Sequence, residues 1–184
     1  MKEVTILLAV KNGEKWLEKT LISVRNQTFK EYEFLIIDDG STDLTKTIIL
    51  KHKELDARIK YFYKKHSGLT ESLNYGLGKA SGKWIARLDA DDIALPDRLN
   101  KQLSFVKNKK NTVLVGSNFF LQKNKIVNNK HYKPVSAIRF MRIQSGIGIH
   151  RKFISAIKKF LKYYFFRHLS SFPHITVLNI FLKN

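Results

Sequence analysis

Short apolar runs alternate with helically spaced apolar positions along the first 121 residues. The runs VTILLAV (4–10) and FLIIDD (34–39) show no polar alternation, which is typical of strands buried on both faces. Between them, Leu17, Leu21 and Val24 recur at helical spacing, and this predicts a helix that begins after Asn12-Gly13 and ends near Asn26. The pattern therefore predicts βα units around a largely parallel sheet, the α/β class.

The same reasoning extends the pattern as far as residue 121. Further helices are predicted at 43–53, at 67–80 and after Pro96, and further strands at 59–65, 83–89 and 112–121. Ser41 or Thr42 is expected to cap the second helix, and Gly82 is expected to close the third. The lysines of the 59–65 strand predict that it lies near an edge of the sheet.

Regular alternation stops near residue 130, so we expect one domain at 1–130 and an appendage at 131–184. Within the appendage, residues 151–169 have the pattern of an amphipathic helix, with aromatic and aliphatic side chains on one side and lysines on the other. A final apolar run occupies 175–182. The helix could pack on the domain, or it could lie on an anionic membrane surface.

The net charge of +19 is concentrated in the second half of the chain. Residues 1–97 hold 16 of the 34 Lys and Arg residues and all 15 Asp and Glu residues. The basic half predicts an anionic partner, for which a membrane surface, a polyanionic substrate and nucleic acid are the alternatives. No nucleic-acid motif supports the last of these. The chain has no cysteine, which excludes disulfides and thiolate metal sites and fits a reducing compartment.

Polar groups follow each of the first four predicted strands. In open α/β sheets ligands bind outside the carboxyl ends of the strands, so these groups are expected to meet at one edge. Oxygen-rich acidic pockets hold hard cations such as Mg²⁺ or Mn²⁺, and such ions commonly complete their shells with phosphate oxygens. The four groups are residues 11–13, 38–41, 66–68 and 89–92.

Two of these groups also have an ordinary structural interpretation. Asp-Asp-Gly-Ser at 38–41 is a good turn and helix cap, and the acidic residues at 89–92 could form a solvated loop before the next helix. The expected meeting of both groups at one edge favours a nucleotide site over two unrelated turns.

The stretches VTILLAVKNGEKWLEKTLISVRNQTFKEYEFLIIDDGSTD and HSGLTESLNYGLGKASGKWIARLDADDIALPDRL resemble the nucleotide-sugar half of the family-2 glycosyltransferases. The resemblance covers about residues 3–121 in motif identity, order and spacing. It implies the GT-A fold, and it makes 1–130 a nucleotide-sugar-binding domain.

The resemblance also implies roles for individual residues. Asp39 matches the residue that hydrogen-bonds the nucleobase. Asp89 and Asp91 match the Asp-X-Asp pair, in which the first residue lies near the ribose and the second ligates a divalent metal, Mn²⁺ or Mg²⁺. Asp92 is a further candidate ligand of the metal. The full set implied to bind the donor is Ala9, Val10, Lys11, Asn12, Asp38, Asp39, His66, Asp89, Ala90 and Asp91. Lys11 stands where the family usually has an aromatic residue.

The implied reaction moves a sugar from a nucleoside diphosphate, with a UDP-sugar expected, to an acceptor hydroxyl, usually with inversion. A glycan or lipid-linked acceptor of cell-surface polysaccharide or lipopolysaccharide synthesis is implied. The N-terminal apolar run is too short for a signal peptide, so we expect a protein that is cytoplasmic or peripheral at the inner face of the membrane.

The general base is not identifiable in this sequence. In the family it is an Asp or Glu of the second half, and here no Asp or Glu follows Asp97. Four histidines of the second half are formally able to act as bases, although no carboxylate remains there to orient them: His131, His150, His168 and His174. The chain is therefore expected to be a shortened glycosyltransferase that lacks the acceptor and base segment, and the alternative is a non-catalytic relative that binds only a nucleotide sugar or a partner.

Overall fold

The computed structural model of the chain describes residues 2–107, 114–115 and 181–183. These residues belong to one compact unit. They form a six-stranded sheet with helices on both faces. The strands lie across the sheet in the order β3 (Ile59–Tyr63), β2 (Tyr32–Asp38), β1 (Val4–Val10), β4 (Trp84–Arg87), β6 (Phe181–Lys183) and β5 (Leu114–Val115). The expected α/β class with a mostly parallel sheet is confirmed.

Two fully buried strands form the centre of the sheet. β1 (Val4–Val10) pairs in parallel with β2 (Tyr32–Asp38) along its whole length, and with β4 (Trp84–Arg87) on its other side. Alternate β1 side chains face opposite layers, so Ile6 and Leu8 join one apolar cluster and Leu7 joins the other. This two-sided burial explains why the strands read as continuous apolar runs.

The helices cover both faces. α1 (Leu17–Arg25) and α4 (Arg98–Lys107) contribute Leu17, Leu21, Leu99 and Leu103 to the larger cluster, which also includes Ile49 of α2 (Thr45–Leu55). On the other face, Leu73 packs against β1 and β2. Leu73 belongs to α3 (Leu69–Leu77).

The sheet has the predicted edge strand and also contains a strand, β6, that was not predicted. β3 (Ile59–Tyr63) lies at an edge, as its lysines indicated. Of the predicted 112–121 strand the structure describes only β5 (Leu114–Val115). β6 (Phe181–Lys183), from the last apolar run, lies antiparallel between β4 and β5.

Two predicted roles at helix ends are wrong. Asp43, not Ser41 or Thr42, accepts the Thr45 N–H at the start of α2, with a distance of 3.0 Å. The third helix ends at Gly78, not at Gly82. Gly82 instead lies against the backbone of β1, where an added Cβ would be 2.4 Å from the Thr5 nitrogen.

The amphipathic helix predicted at 151–169 lies outside the described residues, as does most of the appendage. The same holds for His131, His150, His168 and His174. Within the described part of the chain, no helix is long and apolar enough to span a membrane.

Candidate functional site at the carboxyl edge of the sheet

The loops after β1 and β2 are joined by hydrogen bonds. The Asn12 N–H donates to Ser41 Oγ (2.9 Å), and the Thr42 N–H donates to Asn12 Oδ1 (2.9 Å). The Gly13 N–H donates to Thr45 Oγ1 (2.8 Å). Asn12 has a φ of 52°, a left-handed conformation that asparagine tolerates better than most residues. The two loops therefore form one rigid rim.

Asp39 holds together the ends of β2 and β3. Its Oδ1 accepts from Lys64 Nζ (2.8 Å) and from the Ser67 N–H (2.9 Å). Its Oδ2 lies 2.7 Å from His66 Nδ1 and accepts from the Gly68 N–H (2.9 Å). Burial alone would raise the pKa of Asp39, but these donors hold the pKa well below its usual range. The carboxylate therefore orders the whole 64–68 loop.

Gly40 permits this arrangement. Its φ is 77°, and an added Cβ would lie 2.9 Å from the His66 backbone nitrogen. A side chain at this position would be strained by the backbone conformation and would also push the 64–68 loop away from Asp39.

Asp38 has a different environment from its neighbour. Its side chain is fully buried, Oδ1 accepts from the Ser41 N–H (2.8 Å), and Oδ2 accepts from the Tyr61 hydroxyl (2.9 Å). Both oxygens therefore form bonds within the protein, and they fix the turn that carries Ser41 to Asn12.

The three aspartates after β4 differ in exposure. Asp91 is exposed, whereas Asp89 and Asp92 are partly buried. Arg87 donates to Asp89 Oδ1 at 2.7 Å, and the Asp92 N–H donates to the Asp89 carbonyl at 3.2 Å. Burial raises the pKa of Asp89 despite Arg87. Burial and the charges of Asp89 and Asp91 raise the pKa of Asp92 to about 7. Burial and mutual repulsion therefore disfavour the simultaneous ionisation of all three carboxyl groups.

Two buried arginines lie beneath this cluster. Arg98 of α4 donates through Nη2 to the Arg87 carbonyl at 2.8 Å. Burial lowers the pKa of Arg98 to about 10, against the opposing effect of Asp92 and Asp89. The guanidinium groups offset part of the repulsion among the aspartates, while burial and the neighbouring carboxylates keep the pKa of Asp92 raised.

The segment between β4 and α4, residues 88–97, is here called the aspartate loop, and its backbone is attached to α1 and to Gln27 just after α1. The Thr20 hydroxyl donates to the Ala90 carbonyl (2.8 Å), and Ser23 Oγ accepts the Ala94 N–H (3.0 Å). Gln27 Nε2 donates to the Leu95 carbonyl (2.7 Å), and its Oε1 accepts the Leu99 N–H (3.2 Å). Thr20 and Ser23 of α1, with Gln27 just after it, thus hold the backbone of the segment from Ala90 to Leu99.

The structure brings the predicted polar groups together in neighbouring pairs. The 11–13 group bonds to the 38–45 segment, and Asp39 bonds to the 66–68 group. An added Cβ on Gly13 would lie 3.9 Å from Ala90 Cβ, so the aspartate loop adjoins the first group. Of the other residues predicted to bind the donor, Val10 is buried, Ala9 is partly buried and Lys11 is exposed.

Sequence reasoning missed the residues that support the site. Lys64, Arg87 and Arg98 lie beside carboxylates, and Thr20 and Gln27 hold the aspartate loop. The sequence does contain one indication of the bonds to the aspartate loop: Thr20, Ser23 and Gln27 are polar positions at helical spacing next to an apolar stripe.

An α/β sheet with polar loops gathered at its carboxyl edge is the architecture of a ligand-binding α/β protein. The model of the family described as "Glycosyl transferase family 2" matches residues 5–170. The chain belongs to glycosyl transferase family 2. The match continues beyond residue 131, into the predicted appendage.

Relatives from three organisms are named as glycosyltransferases. An "Uncharacterized glycosyltransferase" of Haemophilus influenzae is 38% identical over 115 residues, which are 62% of this chain and 36% of that protein. "Uncharacterized glycosyltransferase MJ1057" of Methanocaldococcus jannaschii is 33% identical over 98% of this chain and 57% of its own length. The "Putative glycosyltransferase EpsE" of Bacillus subtilis is 34% identical over 62% of this chain and 42% of that protein. The chain therefore spans about a third to just over half of these relatives.

Solved structures share the fold. Staphylococcus aureus TarS 1–349 in complex with UDP has a TM-score of 0.56 and 25% identity, covering 59% of this chain and 33% of that one. TarS 1–349 in complex with UDP-GlcNAc is 26% identical, with the same TM-score and 32% of that chain covered. The mannosyltransferase PcManGT of Pyrobaculum calidifontis, in complex with GDP-Man and Mn²⁺, is 21% identical with a TM-score of 0.56, covering 61% and 34%. These likenesses confirm the expected GT-A-like fold.

Proposed function

We propose that this chain binds a nucleoside diphosphate sugar at the carboxyl edge of its sheet and belongs to an enzyme that transfers the sugar to an acceptor hydroxyl. The observation that carries the proposal is the joining of the loops after β1, β2 and β3 through Asn12 and Asp39, with the three aspartates that follow β4 adjoining the first of these loops. Membership of glycosyl transferase family 2 and the likeness to UDP-bound TarS support it.

In this proposal Asp39 and its loop form the nucleoside end of the site. Both carboxylate oxygens already accept two donors each, so a base N–H reaches Asp39 by replacing the Lys64 or His66 side chain. The backbone donors of Ser67 and Gly68 remain and keep the carboxylate ionised. Asp38 takes part indirectly, because it holds the turn between Asp39 and Ser41.

In this proposal the diphosphate of the donor binds at the aspartate loop. Among the described residues no group of three or more His, Cys, Asp or Glu side chains is arranged to hold a metal ion. A cation between protein and diphosphate needs only one or two carboxylates, and the three carboxyl groups at 89–92 fit such an ion because it would relieve their mutual repulsion. Asp91, with Asp89 and Asp92 beside it, would hold Mn²⁺ or Mg²⁺. When bound, the ion stabilises the charge that develops on the leaving diphosphate.

Calorimetric titration with UDP, and then with GDP, tests the donor site. We expect UDP to bind more tightly with Mn²⁺ than without it, and the Asp91→Asn variant to lose this dependence. Asp97→Asn is the matched control, because Asp97 is an exposed aspartate close by in the chain. If neither nucleotide binds under any condition, the proposed donor site is wrong.

A second candidate is a relative that binds the nucleotide sugar without transferring it. The observation in its favour is that no Asp or Glu follows Asp97, so the printed sequence offers no carboxylate base beyond the donor site. Incubation with UDP-sugars and glycan or lipid-linked acceptors separates the two. Transfer of labelled sugar supports the enzyme, and tight donor binding without transfer supports the binding protein.

The acceptor and location follow the expectation from the sequence. We propose a glycan or lipid-linked acceptor in cell-surface polysaccharide or lipopolysaccharide synthesis, on the cytoplasmic side of a membrane. The basic segment after Asp97 supports contact with anionic lipid. Co-sedimentation with phosphatidylglycerol vesicles at low salt tests this contact, and failure to sediment contradicts it.

A further inference from the structure

Three buried polar side chains lie on α1 and just after its end, at positions where a core segment would ordinarily carry apolar ones. Thr20, Ser23 and Gln27 are between 1% and 8% exposed. Thr20 and Ser23 lie three residues apart on one side of α1, and Gln27 is the second residue after the helix ends at Arg25. Each of them bonds to the backbone of the segment between Ala90 and Leu99.

α1 is a firm platform for these bonds. Leu17, Leu21 and Val24 of the same helix are at most 1% exposed and belong to the larger apolar cluster. Displacing the helix would expose these side chains to water, so the helix keeps its position relative to the sheet. A hydrogen bond from α1 to the aspartate loop therefore restrains the position of the loop backbone relative to the core.

Of these hydrogen bonds, the one from Thr20 lies nearest in the chain to the proposed metal ligands. Its hydroxyl donates at 2.8 Å to the carbonyl of Ala90, the residue between Asp89 and Asp91. The peptide that follows Ala90 leads directly to Asp91, which is exposed. Asp89, Asp91 and Asp92 repel one another as anions, and the hydrogen bond from Thr20 holds the backbone between the first two of them in place.

We propose that Thr20 is a positioning residue for the diphosphate end of the site. It fixes the Ala90 peptide and thereby the direction in which the Asp89 and Asp91 carboxylates face a bound cation. This inference rests on the proposed function, because it concerns the same donor site. Thr20 itself does not touch the donor.

Thr20→Val tests the inference, because valine keeps the shape of the side chain and removes only the donor. The quantity to measure is the ratio of the UDP dissociation constants without and with Mn²⁺, by calorimetry. We expect Thr20→Val to lower this ratio about 10- to 100-fold, the usual effect of losing a group that orients a metal ligand. Thr20→Ser keeps the hydroxyl and should retain the wild-type ratio.

Thr5→Val is the matched control. Thr5 is also fully buried, and its hydroxyl donates to Glu33 Oε1 at 2.6 Å and accepts from the Gly82 N–H at 2.9 Å. It lies near the start of β1, whereas the aspartate loop follows the end of β4. Thr5→Val should lower the melting temperature at least as much as Thr20→Val and leave the Mn²⁺ ratio unchanged.

Each outcome decides the inference. A wild-type ratio in folded Thr20→Val, or an equal fall in Thr5→Val, overturns the positioning role and leaves the donor site standing. If the wild-type protein shows no Mn²⁺ dependence, the metal site of the proposed function fails, and the positioning role falls with it. If Thr20→Val does not fold, Thr20→Ala removes the same donor without adding a methyl group, and the same criteria apply.

Discussion

The ammonium of Lys64, just after β3, lies 2.8 Å from Oδ1 of Asp39, just after β2. Lys64 also donates to the Lys65 carbonyl and to the Ser67 hydroxyl. The Lys64 side chain is 18% exposed and that of Asp39 is 5% exposed, so the ion pair is largely shielded from water. This pair ties the edge strand to the central part of the candidate site.

Lys64→Met should therefore destabilise the fold. The substitution keeps the alkyl stem and removes a charge-assisted hydrogen bond, which costs about 1–3 kcal/mol of the free energy of unfolding. Lys65→Met is the control, because Lys65 is exposed and should change stability by less than about 0.5 kcal/mol. Urea denaturation of both variants measures the difference, and equal stabilities would show that the ion pair contributes nothing.

Glu33 should govern stability in acid. Burial alone would raise its pKa, but donors from Lys60, Thr5 and Ser81 lower it from 4.5 to about 2. A carboxylate with a lowered pKa contributes stability above pH 4.5, and this contribution is lost as the pH falls toward 2. Glu33→Gln should be less stable at pH 7 by roughly 1–3 kcal/mol.

The pH profile separates this effect from a general loss of stability. The difference between wild type and Glu33→Gln should shrink as the pH falls from 4.5 toward 2, because the wild-type carboxyl then becomes neutral too. Chemical denaturation at several pH values checks this. A difference that stays constant across that window would contradict the role of the charge.

Ionisation of Asp92 should destabilise the fold, whereas ionisation of Glu33 stabilises it. Its pKa is raised from 3.8 to about 7, so the folded protein binds a proton more tightly than the unfolded chain does, and stability falls as the pH rises between these values. Asp92→Asn should be more stable than wild type at pH 8 by about 1–3 kcal/mol, with little difference near pH 4. Melting curves at both pH values, without divalent cations, test the sign. A destabilised variant at pH 8 would contradict the prediction.

Gly82 should tolerate no side chain. An added Cβ would lie 2.4 Å from the Thr5 nitrogen and 2.6 Å from the Val4 carbonyl carbon, both in the backbone of a central strand. Gly82→Ala should therefore cost about 2–4 kcal/mol of the free energy of unfolding, because the two segments must separate.

Gly78→Ala is the matched control for Gly82→Ala. Gly78 has helical dihedral angles, and the nearest atom to an added Cβ is the Tyr75 carbonyl oxygen at 3.5 Å. This substitution should be neutral or stabilising by up to about 1 kcal/mol. Thermal denaturation of the two variants compares them, and similar melting temperatures would show that the close approach at Gly82 is unimportant.

Much of the architecture could be predicted because its signals are local. Apolar runs identified β1 and β2, and helical spacing identified α1, whose end at Arg25 agrees with the predicted end near Asn26. The role of Gly82 could not be predicted, because Gly78 and Gly82 are equally plausible helix ends when read along the chain. Only the packing of residues 81–82 against β1 distinguishes them.

By itself the sequence determined the order of strands and helices and the grouping of polar loops at one edge. Parallel strands buried on both faces must be continuously apolar, and their carboxyl ends must meet. Tertiary structure alone decided that Lys64 bonds Asp39, that Thr20 bonds Ala90 and that β6 lies between β4 and β5. These partners are 25 to almost 100 positions apart in the chain, and such contacts depend on how the elements pack and leave no periodic signal along the sequence.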